Sequence, residues 1–538
     1  MTPEEAIRRQ KELESERANW ASYWQELATF CLPKKATITS PRSSGQQIDL
    51  HNIFDDTAIR ALKIMAAGFH SHLTNPSSKW FELQMKNKAF MESKAVKIWL
   101  KETEDIIFDT LNSSNFDTTM QEFYPDSGCF GTAAIFEEED TVEKIRFTVL
   151  PIGEIYIEED AQGRVNRLFR KFQYTVLQAF ERWGNDAGET VTKAITEKKY
   201  SKTIDILHWI IPREKRTMGK EDALNLPWES KWVEITKAHL IRESGYHEFP
   251  TAVGRFTKMA GEKWGYSPAM DAMADIRMIN AEKKYLIRAA MKIIDPPLVL
   301  PSQGFILPLN LNPSGINYRN PQTKSDDLQP IITKANIPIG LEMIQDVRNS
   351  IEETFYVPLF KAFSQITKQM TIPEVQRRIA ENMVLLGPVV GRFTQEVFDP
   401  IIIRTFNILA RNNHLPPPPP EIQGQEFDVV YISQLAKAQR NSEILSLERT
   451  LETIGAIANI VPSVLDKIDT DKAVDIIAEI HGTNPNLIRD DEEVLAIRQE
   501  RVAAAEKAQQ QAEMAQAATT AKDISQADKN LRPVGGKK

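Results

Sequence analysis

Residues 384–392 read Val-Leu-Leu-Gly-Pro-Val-Val-Gly-Arg, and they interrupt a segment, 372–412, in which apolar residues otherwise recur at helical intervals. A proline inside a helix removes a backbone donor and bends the helix axis. The sequence therefore predicts one long helix that is kinked at Gly387 and Pro388. A pentaproline run, Pro416 to Pro420, follows this helix. We interpret the run as a stiff surface connector rather than as a ligand for SH3-type domains.

Length and composition describe a folded protein with a substantial core. The chain has 538 residues, of which 42% are hydrophobic and 26% are charged, so two or more domains or one elongated subunit are expected. The two cysteines, Cys31 and Cys129, do not have C-x-x-C spacing. Because free cysteines are usually buried, we expect both to be buried or incidental, in a protein of a reducing compartment.

The charge balance bears on nucleic acids and on membranes. The formal net charge is -8 and the isoelectric point is near 5.7. This argues against tight, sequence-independent DNA binding, because such binding needs many Lys and Arg residues on phosphates. The acidic start of the chain does not read as a signal peptide, and no apolar run approaches the ~20 residues that cross a bilayer. We expect a soluble protein, made in a cytoplasm and without membrane contact.

The first half of the chain divides into helices followed by sheet. Apolar residues at helical spacing predict helices over 3–30, 58–72 and 93–114. From 133 to 247, short alternating runs predict antiparallel sheet with hairpins. The fold class expected is therefore α+β, predominantly helical. Four tryptophans of this half are expected in the core rather than as a stacking platform for bases: Trp20, Trp24, Trp80 and Trp99.

Two long helices of the second half flank a proline-rich insert. The first is predicted from Pro268 to Ile294 and the second over 339–355. Residues 295–338 hold eight of the 30 prolines and are predicted to be loops and short strands. This order is typical of a rod with a knob at its end. Residues 356–371 contain no acid and are predicted to be a loop.

The remaining segments are helical apart from one strand. Residues 427–432 predict the strand, and residues 434–481 return to helical spacing. A last helix is predicted from residue 490, because acids at 490–493 favour a helix start. It runs into Ala- and Gln-rich sequence and an unstructured end at 532–538.

No catalytic or metal motif is convincing in this sequence. The pattern G-x-x-x-x-G-K-[ST] is absent, which argues against a P-loop motor. His70 and His72 are two residues apart on a predicted helix and point to different faces, and His247-Glu248 lacks the second histidine of a zinc motif. No Ser-His-Asp or Cys-His set follows from spacing. We therefore predict no enzymatic activity, no cofactor and no metal.

Five segments together resemble the portal, or head-to-tail connector, proteins of short-tailed double-stranded DNA bacteriophages. They occur in the family's order: Leu13 to Arg17 with Trp20 and Trp24, Asp55 to Gly68, Leu73 to Pro76 with Trp80 and Phe81, Gly265 to Pro268 with Asp275 and Asn280, and the block 370–436. The resemblance extends over nearly the whole chain and is weaker over 185–235 and after about residue 440.

The resemblance implies an elongated portal-like subunit that assembles into a ring. The parts that it implies, in chain order, are a wing (1–264), a first stem helix (265–294), a clip (295–338), a second stem helix (339–355), a tunnel loop (356–371), a kinked wing helix with the proline-rich connector (372–420), a crown (421–489), and a C-terminal barrel helix with a disordered tail (490–538).

The same resemblance implies the partners. The ring would be a dodecamer, assembled in the host cytoplasm and placed at one capsid vertex of the virion. It would form a channel for packaging, retention and ejection of the genome. Its partners would be further copies of this chain, the major capsid and scaffolding proteins, the terminase motor, tail or adaptor proteins, and double-stranded DNA in the channel. A closed ring needs two different, complementary sides on each subunit.

Two lysines are candidate contacts with the DNA. The resemblance places the tunnel loop at the narrowest part of the channel, where Lys361 and Lys368 could bind phosphates. The alternative is that both lysines are ordinary solvated charges.

A basic stripe is a second candidate feature. Arg277, Lys284 and Arg288 are spaced by seven and four residues and so share one face of the first stem helix. The alternative is a solvated or salt-bridging face, because three acids lie close along the sequence: Asp271, Asp275 and Glu282.

Two other classes of protein remain as alternatives. One is a helical adaptor or scaffold that binds partners through its long helices and proline-rich insert, without a DNA channel. The other is a metal-dependent nucleic-acid enzyme whose site is assembled from dispersed carboxylates.

Overall fold

The computed structural model describes residues 1–39, 47–48, 50–217, 219–220, 222–296, 298–299, 318, 329–330, 337–364, 386–431, 450, 452–457, 472–474, 477, 487, 489 and 491–530. These residues mix helix and sheet, which confirms the α+β class. They divide into two compact units. The first consists of Met1–Glu82, Glu104–Leu415 and Val429–Ala438; the second consists of Leu83–Thr103, Pro416–Asp428 and Gln439–Lys538. Within these ranges, no helix has the length and apolar character needed to cross a membrane.

The helices have these bounds: α1 Pro3–Cys31, α2 Thr57–Leu73, α3 Lys94–Ser113, α4 Phe116–Phe130, α5 Val176–Trp183, α6 Glu189–Thr196, α7 Pro268–Asp271, α8 Met273–Ile294, α9 Ile337–Thr354, α10 Val357–Ser364, α11 Asp399–Arg411 and α12 Asp491–Asn530. The strands are β1 Phe81–Met85, β2 Thr132–Asp140, β3 Lys144–Leu150, β4 Ile155–Glu159, β5 Val165–Thr175, β6 Thr203–Pro212, β7 Trp228–Glu234, β8 His239–Tyr246, β9 Thr251–Arg255, β10 Leu298–Val299, β11 Gln329–Pro330 and β12 Phe427–Tyr431. The helices predicted at 3–30, 58–72, 93–114, 268–294, 339–355 and from 490 are confirmed to within a few residues.

Helix α1 packs one face into the first unit. It begins with a capping box formed by Thr2 and Glu5, which satisfies two backbone donors at the helix start. Its buried residues recur every three or four positions along one side: Ala6, Gln10, Leu13, Arg17, Trp24, Leu27, Ala28 and Cys31. Cys31 and Cys129 are free and buried, as predicted.

Arg17 anchors the middle of α1. Its guanidinium donates to the carbonyl oxygens of Ile152 at 2.8 Å, Ile155 at 2.6 Å and Gly153 at 2.9 Å. The guanidinium carbon also lies 4.1 Å from the ring centroid of Tyr156, a distance at which cation–π attraction contributes. One side chain therefore fixes the helix to the turn that precedes β4.

Strands β4 to β8 form an antiparallel sheet of the first unit, in sequence order. On β6, Ile204 and Ile206 pack with α5 and α6, whereas Leu207 and Trp209 pack with α1. Successive side chains of a strand point to opposite faces, so the sheet is buried on both sides. This confirms the antiparallel sheet predicted within 133–247.

Helices α5 and α6 interrupt that region and were not predicted. Helix α5 begins directly after β5, where Thr175 and Gln178 form a capping box. The apolar residues Val176, Ala179 and Trp183 then fall on one face and are buried. Local capping therefore starts a helix inside a segment whose other runs alternate as strands.

The second sheet of this unit has the order β3-β2-β9 and is antiparallel. Helix α4, which precedes β2, ends at Gly131, whose φ is 74°. A Cβ on Gly265 would lie 2.2 Å from the carbonyl oxygen of Gly131. The two backbones touch here, and only glycine permits that approach.

An aromatic cluster joins α2, α4 and α10. Its centre is Phe69, and the neighbouring ring centroids lie 5.5 to 6.0 Å away: Tyr124, Phe256, Phe360 and Phe393. These distances suit favourable aromatic pairs. A Cβ on Gly68 would come within 2.2 Å of the Phe360 ring, so this packing leaves no room for a larger residue.

The prediction that 356–371 is a loop is wrong for its first half. Residues 357–364 form α10, which is separated from α9 by Phe355 and by Tyr356 with φ 58°. Val357, Leu359 and Phe360 are buried, so an apolar face holds the helix. The prediction of a loop was based on the absence of acids, and the charge of a segment does not indicate whether it has an apolar face. Residues 365–371 lie outside the described residues.

The second unit contains the pentaproline run and α12. Trp99 Nε1 donates to the carbonyl oxygen of Pro416 at 2.9 Å, so the buried end of α3 holds the start of the run. Among the predicted core tryptophans, Trp24, Trp80 and Trp99 are buried and Trp20 is half-buried. Helix α12 has 40 residues.

Candidate functional site

Helices α8 and α9, here called the paired helices, lie against each other, and α9 also lies against α2. Their buried apolar residues include Ile276 and Ile279 on α8 and Ile344 and Ile351 on α9. A hydrogen bond from Ser350 Oγ to Asp275 Oδ2 at 2.7 Å joins the two helices. The paired helices are the segments for which the sequence predicted a rod.

A buried carboxylate ties the paired helices to the start of α2. Asp55 Oδ2 accepts hydrogen bonds from Lys283 Nζ of α8 at 2.9 Å and from Arg348 Nη2 of α9 at 2.7 Å. Asp55 Oδ1 accepts the backbone N–H of Thr57 at 2.9 Å. The carboxylate is 0% exposed, and its two cations are each about 30% exposed. We call Asp55, Lys283 and Arg348 the Asp55 cluster.

The electrostatics of the cluster favour the ionised acid. Burial raises the pKa of Asp55, but hydrogen bonds from Thr57, Arg348 and Lys283 outweigh burial and hold this pKa well below its ordinary value of 3.8. A carboxylate that receives several charge-assisted hydrogen bonds keeps its charge in the interior. The Asp55 carboxyl is therefore ionised at every physiological pH.

Asn280 extends the connection by one helical turn. Its Oδ1 accepts the backbone N–H groups of Phe54 and Asp55 at 2.8 and 3.2 Å, and its Nδ2 donates to the carbonyl oxygen of Ile276. Asn280 and the Asp55 segment belong to motifs quoted above. Their contact gives a physical reason for both: together they fix α8 to the chain that enters α2.

The outer part of the paired helices exposes apolar side chains. Eight large residues are 39 to 82% exposed: Tyr285, Ile287, Met291, Ile293 and Ile294 on α8, and Ile339, Leu341 and Met343 on α9. Apolar residues exposed in numbers mark an interaction surface more often than a solvated one. The inner part of the pair is therefore fixed within the unit, and the outer part is suited to a partner.

The three residues of the predicted basic stripe have different surroundings. Arg277 donates to Glu26 of α1, with Nε at 2.7 Å from Oε1. Lys284 Nζ lies 5.3 Å from the ring centroid of Phe54, and Arg288 is exposed. Arg277 thus pairs with an acid of another helix rather than with the acids near it in sequence. A shared role for the stripe remains a prediction.

Of the two predicted DNA-contacting lysines, the structure describes Lys361. It lies on α10, and its Nζ forms a salt bridge with Glu352 of α9 at 2.8 Å. The side chains are 44% and 33% exposed, so the pair faces solvent. Lys368 lies outside the described residues.

Gly387 and Pro388 lie at the start of a described helical stretch, 386–393. Residues 372–385 are not among those described, so the predicted kink remains a prediction. The described part shows a different irregularity, a π-helical turn over Thr394–Phe398. Pro400 follows it and has no N–H to bond to the carbonyl of Glu396, which favours wider i to i+5 pairing at this point.

The described segments hold no group of three or more His, Cys, Asp or Glu side chains that could bind a metal ion. His70 Nε2 instead lies 2.8 Å from Asp117 Oδ1. The features that the structure brings together are therefore the paired helices, the Asp55 cluster and an exposed apolar surface.

Comparison of this sequence with known proteins identifies the family to which the chain belongs. The model of the family described as bacteriophage head to tail connecting protein matches residues 3–488. The chain is 34% identical over 524 residues to a "Probable portal protein" of Bordetella phage BPP-1, covering 96% of this chain and 94% of that protein. It is 32% identical over 529 residues to a "Portal protein" of Salmonella phage epsilon15, covering 97% and 95%. The chain belongs to the family of bacteriophage head to tail connecting proteins.

Proposed function

We propose that this chain is the portal subunit of a short-tailed bacteriophage. The observation that carries the proposal is its similarity to two phage portal proteins over 96% and 97% of its length. Membership of the family makes the chain a structural component of the virion at the capsid vertex rather than an enzyme. In this role it would conduct DNA during packaging and ejection, retain the packaged genome and attach the tail.

The subunit would act as one member of a closed ring, with twelve copies as the expected number. The exposed apolar residues of the paired helices support this proposal, because a ring needs surfaces that neighbouring copies cover. The Asp55 cluster would set the angle between the paired helices and α2, within the first unit. In this proposal α8 and α9 are the stem, and 295–338 is the clip that contacts the terminase or the tail.

The channel would pass DNA without holding it tightly. At -8 per chain, twelve copies carry 12 × -8 = -96, and such a charge repels a polyanion. Lys361 and Lys368 would add local rings of positive charge in the tunnel segment 356–371. These rings would slow the return of DNA once it is packaged.

Electron microscopy and mass measurement of the purified full-length chain test the proposal. We expect a ring with an axial channel and a mass near that of twelve 61.2 kDa chains, about 730 kDa. A chain that stays monomeric, or that forms open filaments, would contradict the ring. Metal-dependent nuclease activity in the same preparation would favour the enzyme alternative instead.

A further inference from the structure

A groove of ≈ 1120 Å³ crosses the first unit. Its walls are strand β9, the turn between β4 and β5, and the helical residues 392–404. Part of its lining is apolar: Trp228, Phe249, Val253, Pro400 and Ile403. Ile403 is 42% exposed although it lies in this lining. The groove therefore offers an apolar surface that its own unit leaves open to solvent.

The carboxylates that line the groove are already engaged. Glu396 accepts from Arg255 Nη2 at 2.7 Å and from Arg392 Nη1 at 3.0 Å. Glu248 accepts from Arg404 Nη1 at 3.1 Å and from Arg411 Nη1 at 2.5 Å. These carboxylates already accept hydrogen bonds from arginines and so have little capacity for a further cation.

The other two acids are engaged as well. Asp160 Oδ1 accepts the backbone N–H groups of Gln162 and Arg164 at 2.8 and 2.9 Å. Asp399 Oδ1 accepts the Tyr431 hydroxyl at 2.6 Å. Acceptors in the groove are thus occupied by groups of the same unit.

Several donors, in contrast, remain available. Arg164 is exposed, and among the described residues its guanidinium has no partner. Within the described part of the chain, Arg392 donates through Nη1 alone, and Arg404 donates through Nε and Nη1 but not Nη2. Thr251 is 3% exposed, and its Oγ1 has no hydrogen-bond partner in the described part of the chain. Buried polar atoms of this kind are usually satisfied.

One further atom of the groove indicates which kind of molecule could bind there. Asn166 Oδ1 also lines the groove without a partner among the described residues, and it needs a donor such as a peptide N–H. A molecule bound in the groove would need carboxylates for the arginines, N–H groups for Asn166 and apolar side chains for the lining. An acidic polypeptide segment has all three. DNA suits the groove poorly, because its phosphates would face four acidic side chains: Asp160, Glu248, Glu396 and Asp399.

The same unit carries an exposed segment of that chemistry. In the turn between β2 and β3, Val142 is 88% exposed, the highest value for a large apolar side chain among the described residues. Asp140 Oδ1 accepts the backbone N–H groups of Val142 and Glu143 at 2.6 and 3.0 Å, which makes the turn rigid. Glu139, Asp140 and Glu143 surround the valine with acidic side chains. Glu139 Oε1 forms a salt bridge with Arg411 at 3.3 Å, so the turn would use its other carboxylate oxygens.

We propose that the turn 139–143 of one copy of this chain docks into the groove of a second copy. Val142 contacts the apolar lining, and the carboxylates of the turn accept hydrogen bonds from Arg164, Arg392 and Arg404. The contact joins two different surfaces, as a closed ring requires. The inference rests on the proposed function, since it identifies a contact between ring neighbours.

Disulfide trapping between two full-length variants tests the contact. One preparation carries Val142→Cys and the other carries Ile403→Cys; both are mixed during assembly and oxidised. Only a contact between copies can join the two chains, and the native cysteines are buried. We expect a cross-linked dimer on a non-reducing gel, at least tenfold above a control mixture of Leu224→Cys with Ile403→Cys. Leu224 is an apolar residue of another loop in the same unit and is 55% exposed.

The outcomes separate the contact from the ring. Rings that form with no cross-link above the control overturn the docking contact and leave the proposed function standing. A wild-type chain that never assembles overturns both.

Charge reversal gives a second measurement without cysteines. We expect Arg164→Glu to raise the protein concentration needed for half-assembly about tenfold. Arg242→Glu, at an exposed arginine of β8, is the matched control. Arg164→Glu should change the melting temperature of the unit little, because among the described residues this guanidinium forms no hydrogen bond or salt bridge and interacts only electrostatically with Asp160. Assembly at the wild-type concentration, which would be the result if the groove binds another acidic protein, overturns the proposal.

Discussion

Two buried carboxyl groups of the first unit, Asp55 and Glu137, have pKa values shifted in opposite directions. The Asp55 side chain is 0% exposed and receives cationic donors at 2.7 and 2.9 Å. The Glu137 side chain is 2% exposed, but its nearest cation atom, Arg404 Nε, lies 3.9 Å from Oε2. Thr405 donates to Oε1 at 2.9 Å, and Oε2 has no hydrogen-bond partner among the described residues. Burial raises the pKa of Glu137 to about 8.

The difference shows that direct hydrogen bonds, more than nearby charge, keep a buried acid ionised. Arg404 instead donates hydrogen bonds to the backbone carbonyl of Glu137 and to Glu248. Its charge lowers the pKa of Glu137 but does not offset burial. At Asp55 two cations and one backbone N–H bind the carboxylate directly, and burial is outweighed. The arrangement at Asp55 joins the start of α2 to α8 and α9. The arrangement at Glu137 makes the stability of the first unit depend on pH.

Removing the acid of the Asp55 cluster should have the largest effect. Asp55→Ala leaves Lys283 and Arg348 as facing cations without their carboxylate. We expect the free energy of unfolding of the first unit to fall by about 3 kcal/mol, the low end for a broken buried pair because the cations are partly exposed. Urea unfolding followed by tryptophan fluorescence measures it.

Asp55→Asn is the matched control. The amide oxygen can still accept the N–H of Thr57, so about half of the loss should return. If both variants unfold like the wild type, the Asp55 cluster does not stabilise the paired helices, and the contrast with Glu137 has no energetic meaning.

Glu137→Gln should have a smaller effect that depends on pH. Since the pKa of Glu137 is raised from 4.5 to about 8, the folded state binds more protons than the unfolded state between these values. Wild-type stability from this group is therefore present at low pH and falls as pH rises through that window. Glutamine cannot titrate, so we expect the variant to gain about 1–2 kcal/mol over wild type from about pH 6.5 to pH 8.

Unfolding curves at pH 5, 6, 7 and 8 check this dependence. Asp55 provides the contrast, because its pKa is lowered and its contribution is lost only as pH falls below 3.8. A Glu137→Gln profile parallel to wild type would mean that Glu137 is ionised in the folded protein.

Much of the helical architecture could be predicted from sequence because local signals specify it. Helices α1, α8 and α9 carry strong apolar periodicity and clear starts or stops. Helix α4 received no prediction, since Pro125 within it reads as a break. Helix α10 is hard to predict from sequence because its apolar face is short and the segment lacks acids, a pattern that also suits a loop. Its buried residues contact an aromatic cluster built from segments far away in sequence.

The candidate site was harder to predict for the same reason. Asp55 begins one of the motifs of the sequence, and it accepts the N–H of Thr57, which is close to it along the chain. The principal partners of Asp55 are 228 and 293 residues away along the chain. A local sequence pattern cannot predict a contact between residues so far apart. Gly68 and Gly265 were part of recognised motifs, but only the structure shows that a ring and a backbone occupy the space of their side chains.

Removing the exposed salt bridge between Lys361 and Glu352 should change stability least, in contrast to the buried acids Asp55 and Glu137. Both side chains face solvent, and exposed pairs contribute about 0–1 kcal/mol. We expect Lys361→Ala with Lys368→Ala to leave unfolding and ring assembly unchanged within about 0.5 kcal/mol. Retention of packaged DNA should fall nonetheless, and the defect should vary with salt concentration, because contacts with phosphates release counterions.

Glu352→Gln separates the two roles of the lysine, because it removes the carboxylate of the pair and keeps the positive charge. If Lys361 acts on DNA, this variant should retain DNA at least as well as wild type while the double lysine variant loses it. If Lys361 acts only through its salt bridge, the two variants should behave alike. Full retention by the double lysine variant at every salt concentration would show that these lysines are solvated charges and that any hold on the genome by this segment is steric.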